Sequence, residues 1–149
     1  MKTSTLTLAV LACFTVASCA TPQQRMFPPP QAKICNSASA ACDVAVDPKC
    51  PSEVNLPCYV TIEYDLVLLN TRNGANMVNW RLRAGGDFEF TSDGIVIDPD
   101  AFRCMRNGPF MFTCRANKND FASYKYTIKV MPRSGSRPVD PLDPWVVTN

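Results

Sequence analysis

The sequence predicts an all-β fold, an antiparallel β-sandwich held by disulfides, and three observations predict it. Stretches such as Val60–Leu68 and Tyr124–Val130 alternate apolar with polar residues, the two-residue period of a half-buried strand. Beyond the N-terminal apolar run, no window of eleven or more residues has the spacing of an amphipathic helix. Six cysteines, Cys35, Cys42, Cys50, Cys58, Cys104 and Cys114, share the same part of the chain, an even set suited to three bridges.

Each element has its own signal. Cys42-Asp43-Val44-Ala45-Val46 reads as a short first strand that Asp47-Pro48 ends. Pro51 and Pro57 make the segment between Cys50 and Cys58 a stapled loop. Tyr59–Asn70 is the clearest strand, with Val60, Ile62, Tyr64, Leu66 and Leu68 on one face and Thr61, Glu63 and Asp65 on the other. After the turn at Asn70–Gly74, Val78, Trp80 and Leu82 point inward, while Asn79, Arg81 and Arg83 point out. Gly85-Gly86 turns the chain. Phe88 and Phe90 flank Glu89 in a short strand, Ser92-Asp93-Gly94 turns it, and Ile95–Ile97 runs on to the breaker Asp98-Pro99-Asp100.

Phe102–Met105 and Phe110–Arg115 form a hairpin around Arg106-Asn107-Gly108-Pro109. A two-residue Asn107-Gly108 turn would set Cys104 opposite Met111. A Cys104–Cys114 bridge requires a wider loop centred on Pro109, and the nearness of both cysteines to one apex favours it, although six cysteines leave fifteen pairings open. In the last core strand Tyr124, Tyr126, Ile128 and Val130 turn inward, Lys125 and Lys129 outward. Six to eight such strands with a central tryptophan predict a sandwich of the immunoglobulin-like or cupredoxin-like kind.

The first 34 residues are of another character. Met1-Lys2 precedes an apolar run from Leu6 to Ala17, too short to cross a hydrocarbon core that needs ~20 residues. It closes on Val16-Ala17-Ser18-Cys19: an aliphatic residue, two small ones and a cysteine. This resembles the lipobox of bacterial lipoproteins. The resemblance covers residues 1–19 only; no family is recognised for the rest. It implies a signal peptide over 1–18, acylation of Cys19 and a firm hold on a membrane without a spanning helix. It also explains a seventh cysteine outside an even set. Ala20, rather than Asp, follows Cys19, which by the same resemblance implies the outer membrane, periplasmic face. A free secreted or periplasmic protein is the alternative, since Ser18 and Ala20 also suit an ordinary signal peptidase.

The remaining organisation follows. Residues 19–34 form a Pro-rich tether whose Pro28-Pro29-Pro30 favours extended geometry, reaching ~45 Å at about 3.1 Å per residue. The sandwich spans 35–131. The tail 132–149 leaves through Pro-Arg-Ser-Gly-Ser-Arg-Pro, a flexible exit, and ends with Leu142, Trp145 and two valines. So apolar an end is expected to fold back over a sheet edge or core gap, or to dock a partner through Trp145.

Several chemistries are disfavoured. Removal of Lys2 with the signal leaves fourteen basic against thirteen acidic side chains, a formal +1, too balanced for a nucleic-acid surface. The chain has no histidine, so the commonest general base and metal ligand is missing and a blue-copper site is excluded. No C-x-x-C spacing supports a thiolate metal site. Asp93, Asp98 and Asp100 sit beside glycine and proline and read as turn formers rather than a glycosidase pair or a calcium loop. Met105 and Met111 read as packing residues rather than Cu(I) ligands. No metal or other cofactor is expected, and no enzymatic activity.

The expected function is that of a membrane-anchored binding or structural module of the cell envelope. Its partners would be the bilayer, through Cys19, and another envelope protein, through Trp145, Arg81 and Arg83, with Arg103, Arg106 and Arg115 available to the same exposed face. Alternatives are a periplasmic inhibitor or immunity protein against a toxic enzyme and, last, a cell-wall glycan hydrolase.

Overall fold

The computed structural model describes residues 31–37, 42–83, 86–135 and 137–149. The expected signal peptide, Cys19, the expected tether as far as Pro30, and Gly85 lie outside the described residues. Among the described residues twelve strands follow one another, with one 3-10 turn at Thr71–Asn73. They are β1 (Ala32–Cys35), β2 (Cys42–Lys49), β3 (Cys58–Ile62), β4 (Leu66–Leu69), β5 (Met77–Leu82) and β6 (Phe88–Val96). After these come β7 (Phe102–Arg106), β8 (Met111–Ala116), β9 (Ala122–Lys125), β10 (Thr127–Pro132), β11 (Val139–Asp140) and β12 (Trp145–Thr148). The β-sandwich expected from the strand periodicity is what they build.

One layer is a six-stranded sheet in the order β11-β3-β2-β5-β8-β7. A four-stranded sheet, β1-β4-β12-β9, and the two-stranded ladder β10-β6 complete the fold. Pairing is mixed rather than uniformly antiparallel: β1/β4, β4/β12, β2/β5 and β3/β11 run parallel. The cause is that the chain changes sheets between consecutive strands, so neighbours within a sheet come from distant segments. The segment Tyr59–Asn70, read as one strand, shows this. It breaks at Glu63–Asp65 into β3 and β4, which belong to different sheets, and its inward phase passes from Val60 to Val67 and Leu69. Tyr124–Val130 likewise divides at Tyr126 into β9 and β10.

Two predicted breaks are absent. β2 runs on through Asp47-Pro48 to Lys49, because Pro48 sits opposite Val60 where the ladder tolerates its missing donor. β6 continues through Ser92-Asp93-Gly94 with its register against β10 shifted between Ile128 and Val130, a bulge instead of a turn. Gly94 is required there: a Cβ would lie 2.8 Å from the Cβ of Phe90.

Aromatic pairs join the layers. Trp80 of β5, fully buried, packs 5.1 Å from Tyr126 and donates its indole N–H to the phenol oxygen at 3.1 Å. Phe102 meets Tyr124 edge-on at 5.3 Å, and Phe90 meets Phe112 at 5.8 Å. Burial pushes the Tyr126 phenol well above its ordinary pKa.

The three bridges are Cys35–Cys42, Cys50–Cys58 and Cys104–Cys114. Cys35–Cys42 ties β1 of one sheet to β2 of the other. Cys104–Cys114 joins directly opposed residues, and the hairpin accommodates it with a wide loop in which Asn107 N–H donates to Met111 O at 2.8 Å.

The apolar tail does not lie on an edge. β12 inserts between β4 and β9, burying Val146 and Thr148, and the Asn149 carbonyl accepts from the Thr71 hydroxyl at 2.7 Å. Nor is the exit before it loose where it is described. The Arg137 guanidinium donates to the carbonyls of Pro51, Glu53 and Leu56, pinning the exit to the Cys50–Cys58 loop.

Candidate functional site

Alternation places every second residue of β2, β5, β8 and β7 on the outer face of the six-stranded sheet. Register then sets them in rows. Arg103 lies opposite Arg115, and Arg115 opposite Met77. Met105, Thr113, Asn79 and Asp43 form the second row; Met111, Arg81 and Ala45 the third.

The second row is a continuous hydrogen-bonded chain. Asn107 Nδ2 donates to Thr113 Oγ1 at 2.7 Å, and Thr113 Oγ1 donates to Asn79 Oδ1 at 2.7 Å. Asn79 Nδ2 then donates to Asp43 Oδ1 at 2.9 Å, whose carboxylate also meets Arg81 Nε at 3.3 Å. Asn79 and Thr113 are buried, so these bonds satisfy groups that would otherwise be costly to cover. The effect is a floor of fixed side chains beneath the face.

The five arginines divide on this scaffold. Arg81 pairs with Asp43, Arg83 with Glu63 at 2.8 Å and Arg106 with Glu89 at 3.2 Å. Arg103 and Arg115 have no acidic partner among the described residues, and they stand directly across the β7/β8 ladder from each other. Opposed like charges destabilise a sheet pair unless an anion lies between them. They border a depression of about 350 Å³, whose other walls are Met77, Met105, Thr113 and Asn117. Two guanidiniums offer planar, bidentate recognition of a carboxylate or phosphate, and the methionines beside them offer adaptable apolar contact.

The residues singled out from the sequence are thus dispersed. Arg81 and Arg83 share the face, each already held by a carboxylate. Trp145, 47% exposed, lies on the outer face of the other sheet and does not join them. Cys19 lies outside the described residues. Asp93 is held by Lys129 at 2.7 Å and by the Thr91 hydroxyl at 2.9 Å, and these bonds lower its pKa, the Lys129 bond most. Asp98 caps its own turn by accepting the Asp100 N–H at 2.9 Å. Among the described residues no three metal-ligating side chains converge. Met105 and Met111 face outward rather than into the core; Met105 is 59% exposed at the depression. The Asp43–Asn79–Thr113–Asn107 chain escaped sequence reading. Its only signal is that polar residues recur at outward positions of strands whose pairing was not yet known.

No protein-family model matches the chain, and no curated protein matches its sequence.

Proposed function

We propose that the chain is an exported lipoprotein, held at the periplasmic face of the outer membrane through acylated Cys19. Its sandwich binds an acidic segment of another envelope protein through Arg103 and Arg115. The observation that carries the binding role is the opposed, unneutralised arginine pair at the rim of an apolar-walled depression, above a floor of fixed hydrogen bonds. Such a site is preorganised for a carboxylate-bearing segment, which would also relieve the repulsion between the two guanidiniums. The lipobox-like Val16–Cys19 supports the anchor, and three disulfides accord with an oxidising compartment. Binding is favoured over catalysis because Asp93 and Asp98 are both engaged in local hydrogen bonds.

The test isolates the native protein from envelopes, wild type beside an Arg103→Glu/Arg115→Glu variant, with mass spectrometry of the N-terminal peptide. A stoichiometric partner is expected with the wild type, weakened by salt and lost on charge reversal. Retention of that partner by the reversed variant would overturn the arginine site. An unmodified Cys19 would end the anchored reading.

A further inference from the structure

We infer that the outer face of the four-stranded sheet rests on the bilayer that anchors the chain, which turns the arginine face away from the membrane. This rests on the lipid-anchored reading above. In that sheet the side chains directed away from the core fall in two rows fixed by register. One is Ala32, Leu66, Trp145 and Lys125; the other is Ile34, Leu68, Val147 and Ser123. Three of the four strands contribute nothing polar. Ile34 is 61% exposed and Trp145 47%, at positions where a solvated sheet would carry polar side chains. A contiguous apolar patch of this kind marks a surface that is covered in use.

The point at which the chain enters the sheet identifies the cover. β1, which carries Ile34, is both the edge strand of this sheet and the first strand after the tether. At about 3.1 Å per residue, residues 20–31 would span ~37 Å, which leashes acyl chains on Cys19 to the β1 edge of this sheet. The chemistry around the patch agrees. Trp145 and Tyr64 are the aromatic types that settle at headgroup depth. Lys125 borders Trp145 in the first row, and the Lys33 ammonium lies 5.2 Å from the Tyr64 ring centroid. Lys125 also pairs with Asp143 at 3.2 Å. A face of this make-up seats ~5–10 Å into the headgroup boundary.

The experiment uses the native acylated protein, its acyl mass confirmed, in vesicles of phosphatidylcholine and phosphatidylglycerol in equal parts whose acyl chains carry bromine. Trp80 is fully buried, so quenching reports Trp145. Loss of Trp145 emission is expected, absent in Trp145→Phe and reduced in Ile34→Ser at an unchanged melting temperature. With the acyl adduct present and Trp145 emission untouched by the brominated lipid, the seating is overturned while the anchor stands. If the adduct is absent, both fall. A dimer seen by sedimentation without lipid, and dissolved by Ile34→Ser, would assign the face to a second copy and overturn the seating too.

Discussion

On the six-stranded sheet the side chains directed away from the core include Asp43, Asn79, Arg81, Arg103, Thr113 and Arg115 beside three methionines, Met77, Met105 and Met111; on the four-stranded sheet Lys125 and Ser123 of β9 stand beside Ala32, Ile34, Leu66, Leu68, Val147 and Trp145. Both sets sit outside one shared core, and both alternate with buried neighbours. The first face is mainly polar and charged, the second mainly apolar. A sheet with one wet face keeps the in–out alternation of apolar and polar residues, whereas a sheet covered on both faces reads as an unbroken apolar run. Leu66-Val67-Leu68-Leu69 and Trp145-Val146-Val147 are runs of the second kind. The sandwich therefore carries two outward surfaces suited to different environments, joined by the Cys35–Cys42 bridge and by the aromatic contact between the layers.

Breaking that joint should abolish both surfaces at once. Trp80→Ala removes the largest fully buried side chain and its contact with Tyr126, at a cost of ~3–5 kcal/mol. Against a total of about 5–15 kcal/mol for a domain, this is enough to depopulate the fold. The urea midpoint should fall steeply, and partner capture and lipid contact should disappear together. Loss of one with survival of the other would show that the two sheets do not depend on a common core.

Tyr126→Phe tests the same joint with less violence. It leaves the Trp80 indole N–H without its acceptor, a loss of ~1–3 kcal/mol. The pH dependence gives a second signature. Burial raises the folded-state phenol pKa, so above pH ~10 the unfolded chain releases a proton that the folded chain retains. Stability is therefore fully present below that pH and declines as pH rises beyond it. Wild-type denaturation midpoints should show this alkaline decline, and the phenylalanine variant should show less of it.

How much of this the sequence disclosed depends on whether a strand's phase was legible. Val78, Trp80 and Leu82 were plain, because Asn79 and Arg81 separate them. Leu66–Leu69 offers four apolar residues in a row, and either pair could face the core; only the change of sheet at Glu63–Asp65 selects Val67 and Leu69. The hairpin carrying Cys104 and Cys114 was readable because its ends and apex are local. The arginine pair was not, since its opposition follows from a wide-loop register that Asn107-Gly108 by itself does not dictate. The insertion of β12 depends on pairing with β4, far back in the chain, as well as with β9, which no local pattern encodes.

A substitution confined to one surface should separate the two. Arg103→Thr removes a like-charge pair across β7/β8, so stability should rise by a few tenths to ~1 kcal/mol while capture of an acidic partner falls. Trp145 quenching by lipid should be unaffected. A variant that loses stability instead would mean that the guanidinium already has a stabilising role in the free domain.

The smallest effect lies on β6 and β10, outside both surfaces. Lys129 and then Thr91 hold the Asp93 carboxyl below the usual carboxylate range, in an exposed position open to salt screening. A depressed folded-state pKa stabilises above the unfolded value, about 3.9, and that contribution is lost as pH falls through the folded one. Asp93→Asn should therefore lower the midpoint slightly above pH ~4 and flatten the acid limb below it, so that the two proteins converge in acid. The difference between the two proteins should vanish near 1 M salt, where the screening length is about 3 Å. Neither partner capture nor Trp145 quenching should move. A difference that persists in high salt would mean that Asp93 acts through the geometry of the bulge at Gly94 rather than through its charge.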